Sequence, residues 1–90
     1  MTIESLQNYE LIKPIPVIVE PLGDKIFVAE VPEMDLSITG NSVGDTLILL
    51  KDHIATVYEG LRIKKNLDTE RTRQLRMLEA YIGKSRRGWF

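Results

Sequence analysis

Ser42-Val43-Gly44-Asp45-Thr46-Leu47-Ile48-Leu49-Leu50-Lys51-Asp52-His53-Ile54-Ala55-Thr56-Val57-Tyr58-Glu59-Gly60-Leu61 is the stretch from which the fold can be read. Val43, Leu47, Leu50, Ile54, Val57, Tyr58 and Leu61 recur at spacings of three and four, which gathers them on one face of a helix. Ser42 suits the N-cap, where its hydroxyl accepts from an early backbone N–H, and Asp45 sets a carboxylate near the positive end of the helix dipole. At the far end Gly60 can supply the left-handed residue that closes a helix, or the helix can run on toward Asn66. The apolar face needs a sheet or another helix to cover it.

The residues before this stretch supply the sheet. Pro14 and Pro16 favour an extended entry, and the first strand is expected over Pro16 to Glu20. Pro21-Leu22-Gly23-Asp24 has turn chemistry, so a hairpin into a second strand, Ile26 to Val31, follows. Pro32 ends regular pairing there. Leu36-Ser37-Ile38-Thr39 alternates strictly and gives a third strand with Leu36 and Ile38 inward, and Gly40-Asn41 turns into the helix. The second strand is apolar on both sides, with Phe27, Ala29 and Val31 on one face and Ile26 and Val28 on the other. One face can meet the helix. The other calls for a dimer interface or for Met1 to Leu11, a lead-in or short extra element, to fold back over it.

Beyond the helix, Leu61-Arg62-Ile63-Lys64 alternates apolar and basic residues and could form a short fourth strand. Asp68 suits the N-cap of a second helix with Leu75, Leu78 and Ile82 on one stripe and Gly83 past its end. Lys84-Ser85-Arg86-Arg87-Gly88-Trp89-Phe90 reads as a basic tail with an aromatic end. The expected class is thus α+β. A three-stranded, or with that extra strand four-stranded, antiparallel sheet packs on one main helix, and a second helix follows. Residues 1–90 form a single domain, of which 62–90 are a basic C-terminal extension.

Charge is strongly divided along the chain. Up to Leu61 three lysines stand against ten acids, a balance of −7, and from Arg62 onward nine cations stand against three acids, a balance of +6. A polarised chain of this kind can meet a basic partner at one end and an anionic one at the other, or pair its own ends in an oligomer. No apolar run approaches the roughly 20 residues that span a bilayer, and Met1 to Tyr9 lacks the basic start and apolar core of a secretory signal. The expectation is a cytoplasmic protein with no membrane contact.

Chemical signatures are sparse. The chain has no cysteine and one histidine, His53, which sits off the main helical stripe and reads as a surface side chain. Glu20 and Glu30 could meet across neighbouring strands, although acids on a sheet commonly face solvent. Gly40-Asn41-Ser42-Val43-Gly44 precedes a helix but lacks the phosphate-loop lysine and the dinucleotide fingerprint. These residues point to a non-enzymatic protein without cofactor or metal. Arg71, Arg73, Arg76, Arg86 and Arg87 are the candidates for contacting DNA or RNA phosphates. Ile26, Val28, Leu49, Trp89 and Phe90 are the candidates for a protein interface, with Ile48 on the flank of Leu49.

Val31, Pro32, Glu33, Met34, Thr39, Asn41 and Ser42, read with the order hairpin, third strand and capped helix, resemble the HicB-like antitoxin domain over about residues 16–61. In that family a valine-proline-acidic-leucine stretch leads into a threonine-containing strand and then a small residue and cap. Asp35-Leu36-Ser37 stands where the family has proline, glycine and cysteine, and Leu47-Ile48-Leu49-Leu50 replaces its alanine-rich helix start. The resemblance implies a partial RNase H fold without its active site. It further implies assembly as a homodimer or higher oligomer and engagement of a small basic toxin-like protein. Such proteins often add a C-terminal DNA-binding module, and residues 62–90 carry neither a helix-turn-helix nor a ribbon-helix-helix pattern.

Overall fold

In a computed structural model, which describes residues 1–6 and 9–85, the chain is α+β, with ten elements in series among the described residues. The strands are β1 (Thr2–Ile3), β2 (Tyr9–Leu11), β3 (Ile15–Pro16), β4 (Ile18–Gly23), β5 (Ile26–Val31), β6 (Leu36–Gly40) and β7 (Ile82–Ser85). A single 3-10 turn, Pro32–Met34, separates β5 from β6, and the helices are α1 (Val43–Ile63) and α2 (Thr69–Tyr81). Strands β4, β5 and β6 form the three-stranded antiparallel sheet, while β1 pairs with β3 and β2 with β7 in two smaller ladders.

The sheet owes its two faces to strict alternation. Val19, Ala29 and Ile38 align across the strands, as do Val31 and Leu36 at one end, and these residues face α1. Ala29 and Val31 are buried against Leu50, Ile54, Tyr58 and Leu61 of the helix. Asp45 N–H donates to Ser42 Oγ at 3.0 Å, so the helix begins where the cap residue requires. Val43, at the edge of the apolar stripe, is partly exposed, and the buried position at this end is taken by Thr46, whose hydroxyl donates to the Ser42 carbonyl at 2.5 Å.

Several sequence alternatives are decided or corrected. Of the two ends open to the main helix, the later one is taken: it runs past Gly60 toward Asn66 and stops at Ile63, and a side chain at Gly60 would meet nothing within 4 Å. Leu61 to Ile63 are therefore helical and make no fourth strand, because Leu61 lies on the buried stripe and holds the last turn to the core. The hairpin turn falls later than Pro21. Pro21 pairs with Phe27 on the edge strand β4, where its missing donor costs nothing, and a bulge between Pro21 and Gly23 moves the turn to Asp24-Lys25. Lys25, at φ 91°, carries the positive angle in place of Gly23. Ile82 leaves α2 and starts β7, whose pairing with β2 takes over from the helical hydrogen bonds.

Residues 1–6 and 9–11 build part of the core instead of lying over the outer face of β5. Ile3, Leu6 and Tyr9 are buried, and the Tyr9 ring meets Tyr58 of α1 edge to face at 5.4 Å between centroids. Tyr9 O–H donates to Glu59 at 2.7 Å, which fixes this segment to the helix side of the sheet. The second helix is held on the same side. Leu78 and Tyr81 enter the core, Tyr81 O–H donates to Glu33 at 2.5 Å, and Gln74 Nε2 donates to the Met34 carbonyl at 2.8 Å. Leu75 is half-buried beside them.

Two outcomes follow for stability. A Cβ at Gly40 would lie 2.5 Å from Thr46 Oγ1 and 2.9 Å from its Cα, so Gly40→Ala should lower the unfolding free energy by about 1–3 kcal/mol. Gly60→Ala should raise it by about 0.5–1 kcal/mol, both read from urea midpoints at unchanged slope. The second outcome concerns alkaline pH. Burial, then the Glu59 hydrogen bond and charge, push the Tyr9 phenol up from 10.0 to about 12. The folded chain therefore keeps a proton that the unfolded chain releases, and this contribution is full below pH 10.0 and lost as pH rises toward about 12. Tyr9→Phe should cost about 1 kcal/mol at neutral pH, and the gap to the wild type should close across that alkaline window in pH-dependent melts.

Candidate functional site

The face of the three-stranded sheet turned away from α1 is the surface on which sequence-predicted interface residues meet. Along it stand Ile18, Glu20, Ile26, Val28, Glu30, Ser37 and Thr39, the positions that alternate with the core-facing set. Ile18 is 47% and Ile26 49% exposed, and Val28 and Glu30 are half-buried by their neighbours on the sheet. Among the described residues no strand or helix is layered on this face, because Ile3, Leu6 and Tyr9 near one end of the chain and Leu78, Tyr81 and Ile82 near the other pack on the helix side.

Ile26 also reaches the rim of the sheet, where an open groove lies between the end of β6 and the first turns of α1. Thr39, Gly40 and Asn41 form one wall, and Asp45, Ile48 and Leu49 the other. Ile48 is 63% and Leu49 44% exposed, so the groove continues the apolar character of the outer sheet face onto the helix. Thus Ile26 and Leu49, far apart in sequence, line one depression. Val28 sits one alternation further along β5, paired with Glu20 and Thr39. Ile18 was not singled out in the sequence. Its signal was the alternation itself, since Val17 and Val19 turn inward and leave Ile18 outward.

Glu20 and Glu30 share this face but are not directly opposed, because Glu20 pairs with Val28 and Glu30 with Ile18. They flank the apolar residues diagonally. Among the described residues no group of three histidine, cysteine, aspartate or glutamate side chains could hold a metal ion. His53 is half-buried on α1, one helical turn beyond Leu49.

The arginines of α2 divide into two environments. Arg71 Nη1 lies 3.2 Å from Asp68 Oδ2, and its backbone N–H donates to Asp68 Oδ1 at 2.8 Å, so this residue completes the helix cap. Glu33, Asp35 and Glu70 line a recess with Arg71 and Arg73, which places acids among the cations there. Arg73 and Arg76, one turn apart, share a cleft with Leu67, Thr69 and Thr72. Other cations serve packing: Lys13 Nζ lies 4.5 Å from the centre of the Tyr81 ring, and the Arg62 guanidinium 5.2 Å from that of Tyr58. Arg86, Arg87, Trp89 and Phe90 lie outside the described residues.

No helix among the described residues is long and apolar enough to cross a membrane. No family model, no curated protein and no solved structure matches the chain.

Proposed function

We propose that the chain is a non-enzymatic, homo-oligomeric binding protein of the HicB-like antitoxin kind, which engages a small basic protein through the outer face of the β4-β5-β6 sheet. The observation that carries this reading is the composition of that face. Ile18, Ile26 and Val28 supply apolar contact, Glu20 and Glu30 flank them, and no cation occupies a strand position there. An apolar centre with a one-sign rim selects a partner of opposite charge and repels acidic competitors. The balance of −7 over residues 1–61 extends the same field around the sheet and would speed encounter with a basic protein. The β-β-β-α order from Ile18 to Ile63 is the arrangement that the family resemblance implies.

A second reading rests on the cleft at Arg73 and Arg76. Neither arginine forms an ion pair among the described residues, and Thr69 and Thr72 add hydroxyls beside them, so phosphates of a nucleic acid could be met there. The acids Glu33, Asp35 and Glu70 in the adjacent recess interrupt the basic surface, which makes this the weaker reading.

One experiment separates the two. The chain is co-expressed with the small basic protein encoded by the adjacent reading frame, and affinity is measured for that protein and for duplex DNA. The wild type should bind the basic protein, and Glu20→Lys with Glu30→Lys should weaken it by about a hundredfold, since each reversal at a charged rim costs on the order of a kcal/mol or more. Arg73→Glu with Arg76→Glu should leave that binding intact. Absence of a basic neighbour, or indifference to the two lysine changes, would refute the first reading. DNA binding whose salt slope drops by about 2 with the arginine reversals would favour the second.

A further inference from the structure

The two edges of the β4-β5-β6 sheet are built differently. Edge strand β4 is blunted in several ways that discourage further pairing: Pro21 removes a donor, a bulge follows it, and Glu20 adds charge. Edge strand β6 has none of these. Its sequence Leu36-Ser37-Ile38-Thr39-Gly40 contains no proline, no charge and no bulge, and it pairs in unbroken register with β5. Among the described residues no strand and no backbone hydrogen bond occupies its far side. Unpaired N–H and C=O groups along such an edge are a template for another strand.

We propose that a second copy of this chain takes that place, β6 pairing antiparallel with β6 about a two-fold axis at Ile38 to make a continuous six-stranded sheet. The strand is self-complementary in this register. Ile38 meets its own symmetry mate, and Ser37 of each copy stands opposite Thr39 of the other, a hydroxyl pairing well suited to neighbouring strands. The helix layer agrees with it. Helix α1 packs more on β6 than on β5 and so lies close to the open edge. Asp45, Leu49 and His53 follow one another at single-turn spacing, and Asp45 and Leu49 line the groove beside Thr39 and Gly40. The two-fold axis reverses the direction of this row in the second copy. Leu49 then faces Leu49, and the Asp45 carboxylate of each copy is directed toward the His53 imidazole of the other. The 44% exposure of Leu49, unexplained within one chain, finds its cover there.

This pairing concerns self-association alone and does not rest on the identity of the basic partner, which is absent from its test. Sedimentation equilibrium of the full chain at micromolar concentration should show a dimer. Ser37→Lys with Thr39→Lys sets like charges across both symmetric pairs and should raise the dimer dissociation constant at least about tenfold, or about 1.4 kcal/mol. Ser37→Lys with Thr39→Glu sets opposite charges across the same pairs and should return the constant to near the wild-type value. Both residues are exposed, so folding is checked by circular dichroism and should be unchanged. Leu49→Arg should weaken the dimer as well, by loss of the helix contact. A monomeric wild type, or two double variants with equal constants, overturns the proposal.

Discussion

The close approach of Gly40 to Thr46 is the contact on which the arrangement depends. Strand β6 ends at Gly40, Ser42 caps the helix three residues before Asp45, and Thr46 returns its hydroxyl to the Ser42 carbonyl, all within one corner. Only a residue without a Cβ lets the strand and the first helical turn come this near. The corner turns α1 back along β6 with Leu50 and Ile54 over Ala29 and Val31, and every later element packs against the layer so formed.

Both terminal segments are tied to that layer by the same device, a buried tyrosine that donates to a glutamate. Tyr9 binds Glu59 near the end of α1, and Tyr81 binds Glu33 in the turn before β6, which raises the phenol through its hydrogen bond and burial. Each ring fills core volume while its hydroxyl reaches a carboxylate at the rim. The β2-β7 ladder then joins the two segments to each other, and Ile12 N–H donates to the Tyr81 carbonyl at 2.7 Å. Among the described residues, the segments that could have covered the outer sheet face are thereby placed on the helix side. The exposure of Ile18 and Ile26 is a consequence of that choice, and so is the open edge at β6.

The elements with strong local signals were legible in the sequence. Ser42 and Asp68 mark the two helix starts because a side-chain cap is a local interaction; Ile26–Val31 follows from the turn chemistry before it and Pro32 after it, and Leu36 to Thr39 from alternation. What could not be read depends on distant residues. Thr2–Ile3, Tyr9–Leu11 and Ile82–Ser85 are too short to carry a periodicity and exist because they find partners far along the chain. Gly60 offered one of two helix ends because glycine readily takes the left-handed closing conformation, and the burial of Leu61 after it carries the helix on instead. At the site, Ile26, Val28 and Leu49 were recognisable as apolar residues without a local role, whereas their meeting with Ile18 and Ile48 required the hairpin register and the β6-α1 corner.

The central claim is that the described residues cover one face of the sheet and leave the other open, the face on which the proposed partner contact rests. The chain contains no cysteine, so single substitutions Ile18→Cys, Ile26→Cys and Ala29→Cys can each be labelled with a thiol reagent in dilute solution without background. The account predicts that cysteines at positions 18 and 26 react about as fast as in an unfolded peptide. At position 29, where the residue is fully buried, reaction should wait for opening of the fold and be at least about a hundredfold slower. Equal protection at all three positions in the isolated chain would contradict it.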